Sequence, residues 1–407
     1  MSASTAATAN EQPVGLGLPG DRLDLHSLRS RDVSLDRLSA RIQLAAARDA
    51  AQVALVEGWN QELPDRVLVT GSSGYLGHAL VDALKQCGVE TVGLDTLGGA
   101  HTDVVGSVCD AKAIQLAMRG CKGVFHTAAL HAPNAPNFTE EEFEAVNVTG
   151  TDIVLREAAA EGVAAFIHTS TTSLMITPRV KEAERCGKCV WLRHEASERM
   201  QDPQDLPRNK YGRSKLAAEL GCIGTVGQSW KGDLTKPALV ILRAGRFFPE
   251  DVLESLHPNA TPSCSNANNK VNELLGRRAA LVDIVGAHLR AMVRAQSMRL
   301  VQMRTDKEIC PPIFLLAAPW PIEPEVTPPL AADVTDLIAR MFPDAEELFR
   351  SVGWTLPTAI TRVYDVSTTW SEGGLGWEPV WTFQSALAAL QRGPRHPLYS
   401  AVTAGQL

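Results

Sequence analysis

The sequence lacks an apolar run that could cross a membrane, which would need about 20 consecutive apolar residues. It also lacks an excess of basic residues, because 39 Lys and Arg stand against 46 Asp and Glu and give a net charge of −7. Binding to nucleic acid or to an anionic membrane depends on a basic surface. We therefore expect a cytoplasmic protein that binds neither. Apolar residues make up 45% of the 407 residues, which is enough for a sizeable core.

Cysteine is too sparse for a disulfide scaffold, since eight residues are scattered over the chain. This distribution favours free thiols in a reducing compartment. Cys186 and Cys189 are the one pair with the spacing of metal or redox ligands, and no second pair or matched histidines stand out nearby. A structural zinc site almost always has four ligands. We therefore predict no metal site and assign no role to Cys186 and Cys189.

Residues 1–63 are predicted to form an N-terminal extension with a mobile start. The first ten residues are rich in Ala, Ser and Thr, and residues 11–31 have the composition of a loop. Ser34 is predicted to cap a helix that ends near Trp59. The Ser, Thr and Ala content leaves an organellar address open, although acidic residues such as Glu11 are unusual in a transit peptide.

The stretch from Val67 to Gly77 has the pattern of a dinucleotide-binding turn. A β-branched apolar run ends in Gly71, Gly74 and Gly77, and a helical pattern begins at Tyr75. In such a turn the first glycine takes a positive φ, the second admits a pyrophosphate, and the third lets helix and strand approach closely. The helix N-terminus offers N–H groups to phosphates. Because glycine-rich turns also arise for structural reasons, this motif alone does not decide the function.

A second predicted strand, residues 90–95, ends in Asp95 at roughly the expected twenty residues beyond the turn. A carboxylate at this place accepts hydrogen bonds from the ribose hydroxyls of the adenosine and repels a 2′-phosphate. The alternative is a solvated acid at a strand end. The combination with the glycine turn favours NAD over NADP as the cofactor.

Strands and helices alternate beyond Asp95. Further strands are predicted at 103–110, 123–129, 164–173 and 237–243, with helices at 111–119 and 140–161 between them. This order predicts an α/β protein with a Rossmann-type doubly wound parallel sheet, in which ligands bind at the carboxyl ends of the strands. Residues 64–250 are assigned to this domain.

Residues 251–407 are predicted to form mainly a smaller C-terminal α/β substrate domain, with some segments returning to the Rossmann sheet. Residues 251–275, rich in Asn, Ser and Pro, are predicted to form a loop that covers the substrate. The other predicted elements of this half are strands at 281–283 and 313–317 and helices at 331–341 and 383–390.

A polar insertion, residues 178–207, precedes Tyr211 and Lys215, which stand four apart at the start of a predicted helix and so share one face. A nearby cation favours the phenolate form and would lower the pKa of a tyrosine from its usual value of about 10. Taken alone, the pair is also typical of an amphipathic surface helix.

The motifs together resemble the extended short-chain dehydrogenase/reductase family, which includes NAD-dependent sugar epimerases and dehydratases such as UDP-glucose 4-epimerase. The resemblance covers roughly residues 65–395. Its ordered matches are Gly71, Gly74, Gly77, Asp95, Asp110, His126 to Ala129, Asn147, Thr169 to Thr171, Tyr211 and Lys215, then Leu242-Arg243, Leu281 to Leu289 and Leu375 to Pro379.

The resemblance implies a role for each matched residue. Tyr211 would be the acid/base, Lys215 would hold the nicotinamide ribose and lower the pKa of Tyr211, and Thr171, or else Ser170, would bond the reacting oxygen. Asp110 would meet the adenine. The residues expected to bind NAD are Gly71, Ser73, Gly74, Tyr75, Leu76, Gly77, Asp95, Asp110, Ala128, Ala129, Asn147 and Lys215.

The resemblance also bears on the substrate and the assembly. His131, Arg246 and Arg278 are candidate substrate contacts, although histidines near strand ends are commonly structural. Family epimerases carry an asparagine-containing turn where this chain has Arg246-Phe247-Phe248, which argues against a UDP-sugar. Family members often dimerise through the two helices that carry Asn147 and Tyr211, so we expect a homodimer.

Three functions remain open from the sequence. The first is an epimerase-like oxidoreductase that transfers hydride between NAD and a hydroxyl-bearing carbon of a sugar nucleotide or similar substrate. The second is a dehydrogenase or carbonyl reductase acting on a non-nucleotide alcohol or ketone. The third is a non-catalytic dinucleotide-binding subunit, which the retention of Tyr211, Lys215 and Thr171 disfavours. A 4,6-dehydratase is also disfavoured, because Thr171 is not followed by that branch's Asp-Glu pair.

Overall fold

The computed structural model describes nine parts of the chain: residues 63–131, 136–193, 202–226, 235–247, 266–304, 310–321, 334–370, 374–396 and 399–403. The predicted helix from Ser34 to Trp59 and residues 251–265 of the predicted covering loop lie outside them. Among the described residues, none of the helices is long and apolar enough to span a membrane. The assignment of domains at residues 64–250 and 251–407 stays a prediction.

Nine strands and thirteen helices are described. The strands are β1 Arg66–Thr70, β2 Glu90–Asp95, β3 Val104–Val105, β4 Gly123–His126, β5 Ala165–Thr171, β6 Val190–Leu192, β7 Ala238–Ala244, β8 Ile313–Leu316 and β9 Arg362–Tyr364. The helices are α1 Tyr75–Gln86, α2 Ala111–Met118, α3 Glu140–Glu144, α4 Gly150–Glu161, α5 Pro178–Arg185, α6 Lys210–Val226, α7 Asn266–Glu273, α8 Leu281–Arg304, α9 Val334–Met341, α10 Ala345–Ser351, α11 Ser367–Trp370, α12 Phe383–Arg392 and α13 Tyr399–Thr403.

Seven of the strands form one parallel sheet in the order β3-β2-β1-β4-β5-β7-β8. The strands β4 and β7 are buried along their whole length, because helices cover both faces of the sheet. The direction of strand order reverses between β1 and β4, so a crevice opens at the carboxyl ends of these two strands. The predicted doubly wound parallel sheet is therefore confirmed.

The second half of the chain contributes to this sheet as well. The strand β8 pairs with β7, and α8 packs across β5 and β7. A separate apolar cluster is built mainly from later segments, with Val271, Phe349, Trp354 and Phe383 among its buried members. The second half of the chain thus extends the Rossmann sheet through β8 and also forms a separate apolar core.

Three predicted elements differ in the structure. The strand predicted at 281–283 is wrong, because these residues begin α8; a three-residue apolar run fits a buried helix as well as a strand. The strand predicted at 103–110 shrinks to β3, since the chain turns between Ser107 and Asp110 and Asp110 caps α2. The helix predicted at 140–161 is interrupted by a π-helical turn, Ala145–Thr149.

The predicted polar insertion is structured where it is described. It contains α5 and β6, and β6 pairs in parallel with β9 to form a second, two-stranded sheet. Likewise, part of the predicted covering loop is helical, because it contains α7. Cys186 and Cys189 are exposed and half-buried respectively, and both are free thiols.

Candidate functional site

The glycine turn between β1 and α1 has the geometry that the sequence predicts. Gly71 has φ of +75°, and its N–H donates to the carbonyl oxygen of Leu94 at 2.7 Å. A Cβ on Gly71 would lie 2.8 Å from the backbone nitrogen of Ala128, and one on Gly77 would overlap the carbonyl oxygen of Gly71. Only glycine fits both positions, so the strand, the helix and the loop after β4 meet closely at this turn.

Replacing Gly77 with Ala is expected to destabilise the protein and weaken dinucleotide binding, because the added methyl group forces the turn apart. Gly221 on α6 provides a matched control, since a Cβ there would meet no atom within 4 Å. Gly221→Ala should raise stability by about 0.5–1 kcal/mol through helix propensity. Thermal unfolding of both variants checks this pair. A Gly77→Ala protein as stable as the native one would contradict the close packing described here.

Asp95 lies against the glycine turn at the end of β2. One carboxylate oxygen accepts from the N–H of Ser73 at 3.0 Å, and the other accepts from the N–H of Leu97 at 2.9 Å. Burial raises the pKa of Asp95, and these backbone hydrogen bonds partly oppose the rise. Asp95 is half-buried next to the turn, which is where a ribose-binding carboxylate is needed.

The other predicted NAD contacts fall into two groups. Tyr75 and Leu76 lie on the first turn of α1, and the Tyr75 ring stacks on Phe247 with ring centres 6.2 Å apart. Asp110 instead caps α2, because its side chain accepts from the N–H of Lys112 at 2.9 Å. Its contact with adenine stays a prediction.

Tyr211 lies on the first turn of α6 and is buried, with 7% of its surface exposed. The Thr171 side chain at the end of β5 lies close enough to the Tyr211 phenol to lower its pKa. Its ring stacks on His131 with centres 5.7 Å apart, and Phe143 meets it edge-on. The structure therefore brings three of the predicted residues, Tyr211, Thr171 and His131, together. Ser170 is also buried, but its hydroxyl has no hydrogen-bond partner within the described ranges.

Lys215 is not among the groups that shift the pKa of Tyr211 in this structure, so its predicted effect stays a prediction. Burial raises the pKa of Tyr211 to about 12, and Thr171 opposes the rise only partly. The sequence could place a cation four residues away, but it could not show how completely the phenol is removed from water. Tyr211 therefore holds its proton at neutral pH.

Lys215 contacts a histidine that the sequence analysis did not connect with it. Its Nζ lies 3.3 Å from Nε2 of His168 on β5. Burial lowers the pKa of Lys215 to about 8, while burial and Lys215 hold the pKa of His168 well below its usual value. A charged ammonium has no acceptor, so Nε2 of His168 accepts the hydrogen bond and the ring carries its proton on Nδ1.

Asn147, in the π-helical turn, is fully buried and links two parts of the site. Its Oδ1 accepts from the N–H of Leu130 at 2.7 Å, and its Nδ2 donates to the Ser214 hydroxyl at 2.9 Å. Ser214 directly precedes Lys215 on α6. Asn147 thus ties the loop after β4, which carries His131, to the helix that carries Tyr211. His126, by contrast, is bonded through both ring nitrogens to Thr70 and Thr151, as expected of a structural histidine.

Arg246 and Arg278, the predicted substrate arginines, lie side by side and share an acid. Glu273 accepts from Arg246 at 2.9 Å and from Arg278 at 3.1 Å. Burial opposes ionisation of Glu273, but Arg278, Arg246 and Arg277 bring its pKa below the usual value. The Arg278 side chain is fully buried, whereas that of Arg246 is 46% exposed. Glu273 therefore balances part of the positive charge that a phosphate would need.

Comparisons with known proteins agree with this geometry. The NAD dependent epimerase/dehydratase family model matches residues 67–230. A 3-beta-hydroxysteroid dehydrogenase of Mycolicibacterium neoaurum is 33% identical over 121 residues, 27% of this chain and 33% of the relative. Short-chain dehydrogenase/reductase family 42E member 1 of Macaca fascicularis is 27% identical over 253 residues, 60% of each protein. The chain thus spans between a third and three fifths of the length of these relatives.

The fold is shared with a solved structure. A short-chain dehydrogenase/reductase superfamily protein from Agrobacterium tumefaciens, solved with bound NAD, superposes with a TM-score of 0.51 at 21% identity. The superposition covers 84% of this chain and 97% of that protein. At this level of identity the likeness supports the architecture, and the chemistry has to be argued from the residues of this chain.

Proposed function

We propose that the chain, whose residues 67–230 match the NAD dependent epimerase/dehydratase family model, transfers hydride between NAD and a carbon that carries a hydroxyl or carbonyl oxygen. The observation that supports this most strongly is the buried group of Tyr211, Thr171 and Lys215 beside the crevice of the sheet. A protein that only sensed a dinucleotide would not need the hydroxyl groups of Tyr211 and Thr171 in addition to a dinucleotide site.

The residues around the crevice fit a bound NAD. Close packing at Gly71 and Gly77 keeps side chains out of the turn, and the N-terminus of α1 offers N–H groups to a pyrophosphate. The Asp95 carboxylate would accept hydrogen bonds from the ribose hydroxyls of the adenosine. When bound, NAD supplies the hydride donor or acceptor.

The chain's own residues handle the proton. In the direction of carbonyl reduction, Tyr211 donates its hydroxyl proton to the carbonyl oxygen as the carbon receives hydride. Thr171 would supply a second hydrogen bond to the same oxygen, and Lys215, on the next turn of α6, would hold the nicotinamide ribose. In the oxidative direction Tyr211 takes the proton of the substrate hydroxyl.

Replacing Asp95 with Ser should change the choice of nucleotide. Loss of charge-assisted hydrogen bonds is expected to weaken NADH binding by about ten- to a hundredfold, and loss of the repulsion should improve NADPH binding. Asp65, an exposed acid just before β1, gives the matched control Asp65→Ser. Fluorescence titration with both nucleotides measures the effect. Equal NADH affinity in both variants would remove Asp95 from the cofactor site.

The pH dependence should report Lys215. Since burial lowers its pKa to about 8, Lys215 loses its charge as the pH rises through that value, and kcat/KM for NADH-dependent reduction should fall. Lys215→Arg keeps the charge at every accessible pH, so this variant should be slower but lack the decline. If kcat/KM of Lys215→Arg declined with the same midpoint pH, the decline would have to be assigned to a group other than Lys215.

The favoured substrate class is an apolar secondary alcohol or ketone. The rings of His131 and Phe143 pack against the Tyr211 ring, Glu273 already pairs with both candidate phosphate-binding arginines, and one relative is a 3-beta-hydroxysteroid dehydrogenase. A sugar nucleotide is the second candidate, because the half-exposed Arg246 could still contact a phosphate.

One assay separates these two candidates. The protein is incubated with NAD and either a 3-hydroxysteroid or UDP-glucose, and both NADH formation and interconversion of the sugar are followed. Net NADH formation from the steroid supports the first candidate. Interconversion of the UDP-sugar without net NADH formation supports an epimerase and would exclude the first candidate. The homodimer and the cytoplasmic location stay predictions.

A further inference from the structure

A second group of polar side chains lies on α1 and on the loop that follows β2. His78 and Asp82 stand one turn apart on α1, and His101 faces them from the loop between β2 and β3. One ligand atom from each lies within 4.8 Å of the others. We propose that His78, Asp82 and His101 bind one Zn²⁺ ion, with water as the fourth ligand.

The distances suit a metal with small adjustments. Nε2 of His101 lies 2.7 Å from one oxygen of Asp82, and Nε2 of His78 lies 3.7 Å from the other. Bonds of 2.0–2.2 Å in a tetrahedral zinc site place neighbouring ligand atoms roughly 3.3 Å apart. The observed separations lie on either side of that value. A rotation of the carboxylate would therefore bring all three atoms into coordination.

Burial argues for a cation at this place. The His78 and Asp82 side chains are 6% and 10% exposed, and that of His101 is 12% exposed. The two imidazole rings pack with centres only 4.1 Å apart and direct nitrogen atoms at the same carboxylate. A divalent cation between them would balance the buried negative charge while keeping both rings neutral.

The imidazole of His101 can adjust to such an ion. Its Nδ1 is buried and has no hydrogen-bond partner in the part of the chain that the structure describes. The described polar contact of the ring is therefore the one between its Nε2 and Asp82. A shift of the ring by a few tenths of an ångström breaks no other described hydrogen bond of this side chain. Two nitrogen ligands and one carboxylate favour Zn²⁺ over Mg²⁺ or Ca²⁺, which prefer oxygen ligands.

The position links this site to the glycine turn. Thr102, next to His101, has its hydroxyl hydrogen-bonded to the hydroxyls of Ser72 at 2.9 Å and Ser73 at 2.8 Å. Ser73 is also the residue whose N–H binds Asp95. Zinc would fasten the loop that carries His101 and Thr102 to α1, and so hold the adenosine end of the site in place. This consequence for NAD rests on the proposed function, whereas zinc binding does not.

The sequence pattern around Cys186 and Cys189 predicted no metal site, because no second pair of ligands stands nearby. The sequence does contain one indication of the site, which is the four-residue spacing of His78 and Asp82 that places two ligands on one helix face. The third ligand comes from a loop 19 residues beyond Asp82, and the sequence does not show that this loop folds back on α1.

Calorimetric titration of the metal-stripped full-length protein with ZnCl₂ tests the site. The native protein should bind one Zn²⁺ per chain, with MgCl₂ giving no comparable heat. Asp82→Asn and His101→Gln should each weaken zinc binding on the order of a hundredfold or more, because loss of a direct ligand costs at least as much as loss of an outer partner. His396→Gln, a change of the same type away from the cluster, should leave the affinity unchanged.

Thermal unfolding separates loss of the site from loss of the fold. Zinc should raise the midpoint temperature of unfolding of the native protein and of His396→Gln, but not that of the two ligand variants. In the presence of a chelator, the two ligand variants should still show a cooperative unfolding transition, which would establish that they fold. Absence of zinc binding by the native protein, or full affinity in folded Asp82→Asn, would overturn the proposal. Zinc should also tighten NADH binding, and an unchanged NADH affinity in the zinc-loaded protein would contradict the link to the cofactor site.

Discussion

Tyr211→Phe is expected to lower the rate of NADH-dependent carbonyl reduction by on the order of a hundred- to ten-thousandfold. Phenylalanine keeps the ring that packs against His131 and Phe143 but has no proton to donate. Binding of NADH should be nearly unchanged, because the lost group is the one assigned to the substrate oxygen. Steady-state kinetics and a fluorescence titration of NADH measure the two effects separately.

Three further variants make this result specific. Tyr399→Phe removes a tyrosine hydroxyl on α13 and should keep full activity. Thr171→Ala should lower kcat strongly, since Thr171 lies close to Tyr211, whereas Ser170→Ala should have a smaller effect. Full activity in Tyr211→Phe would contradict the proposed mechanism, and a larger loss in Ser170→Ala than in Thr171→Ala would exchange the roles of these two residues.

Glu219→Gln is expected to destabilise the protein by about 3–5 kcal/mol, because it leaves the charge of Arg243 buried without its ion partner. Glu219 on α6 and Arg243 on β7 form a bidentate pair with distances of 2.7 and 3.0 Å. Their side chains are only 2% and 1% exposed. The pair joins the helix that carries Tyr211 and Lys215 to the sheet, so the loss should also lower activity.

Urea unfolding followed by tryptophan fluorescence measures this loss. Arg179→Met, which breaks an exposed ion pair with Asp205, is the control and should change stability by less than about 1 kcal/mol. The double change Glu219→Leu with Arg243→Met removes both charges and should recover much of the stability. A Glu219→Gln protein as stable as Arg179→Met would show that the buried pair contributes little.

Local patterns in the sequence predicted the parts of the fold that depend on neighbouring residues. The turn from Gly71 to Gly77 and the strand that ends at Asp95 are short segments whose geometry follows from glycine and β-branched residues. The spacing of Tyr211 and Lys215 likewise placed both on α6. The structure confirms these elements because tertiary contacts reinforce the local preference.

The sequence could not predict features that depend on distant residues. The pairing of β6 with β9 joins residues 172 apart in the chain, and the ion pair of Glu184 with Arg362 joins residues 178 apart. The rise in the pKa of Tyr211 depends on burial by several separate segments. The shared acid between Arg246 and Arg278 also required knowledge of how α7 packs. In each case the deciding quantity is a three-dimensional contact.

The most direct test of the account is a fluorescence titration of the purified chain with NADH and with NADPH. Because the glycine turn, the N-terminus of α1 and Asp95 are proposed to form the site, the chain should bind one NADH at micromolar concentration and NADPH more weakly. Binding of neither nucleotide, or a preference for NADPH, would contradict the assignment of this crevice as an NAD site.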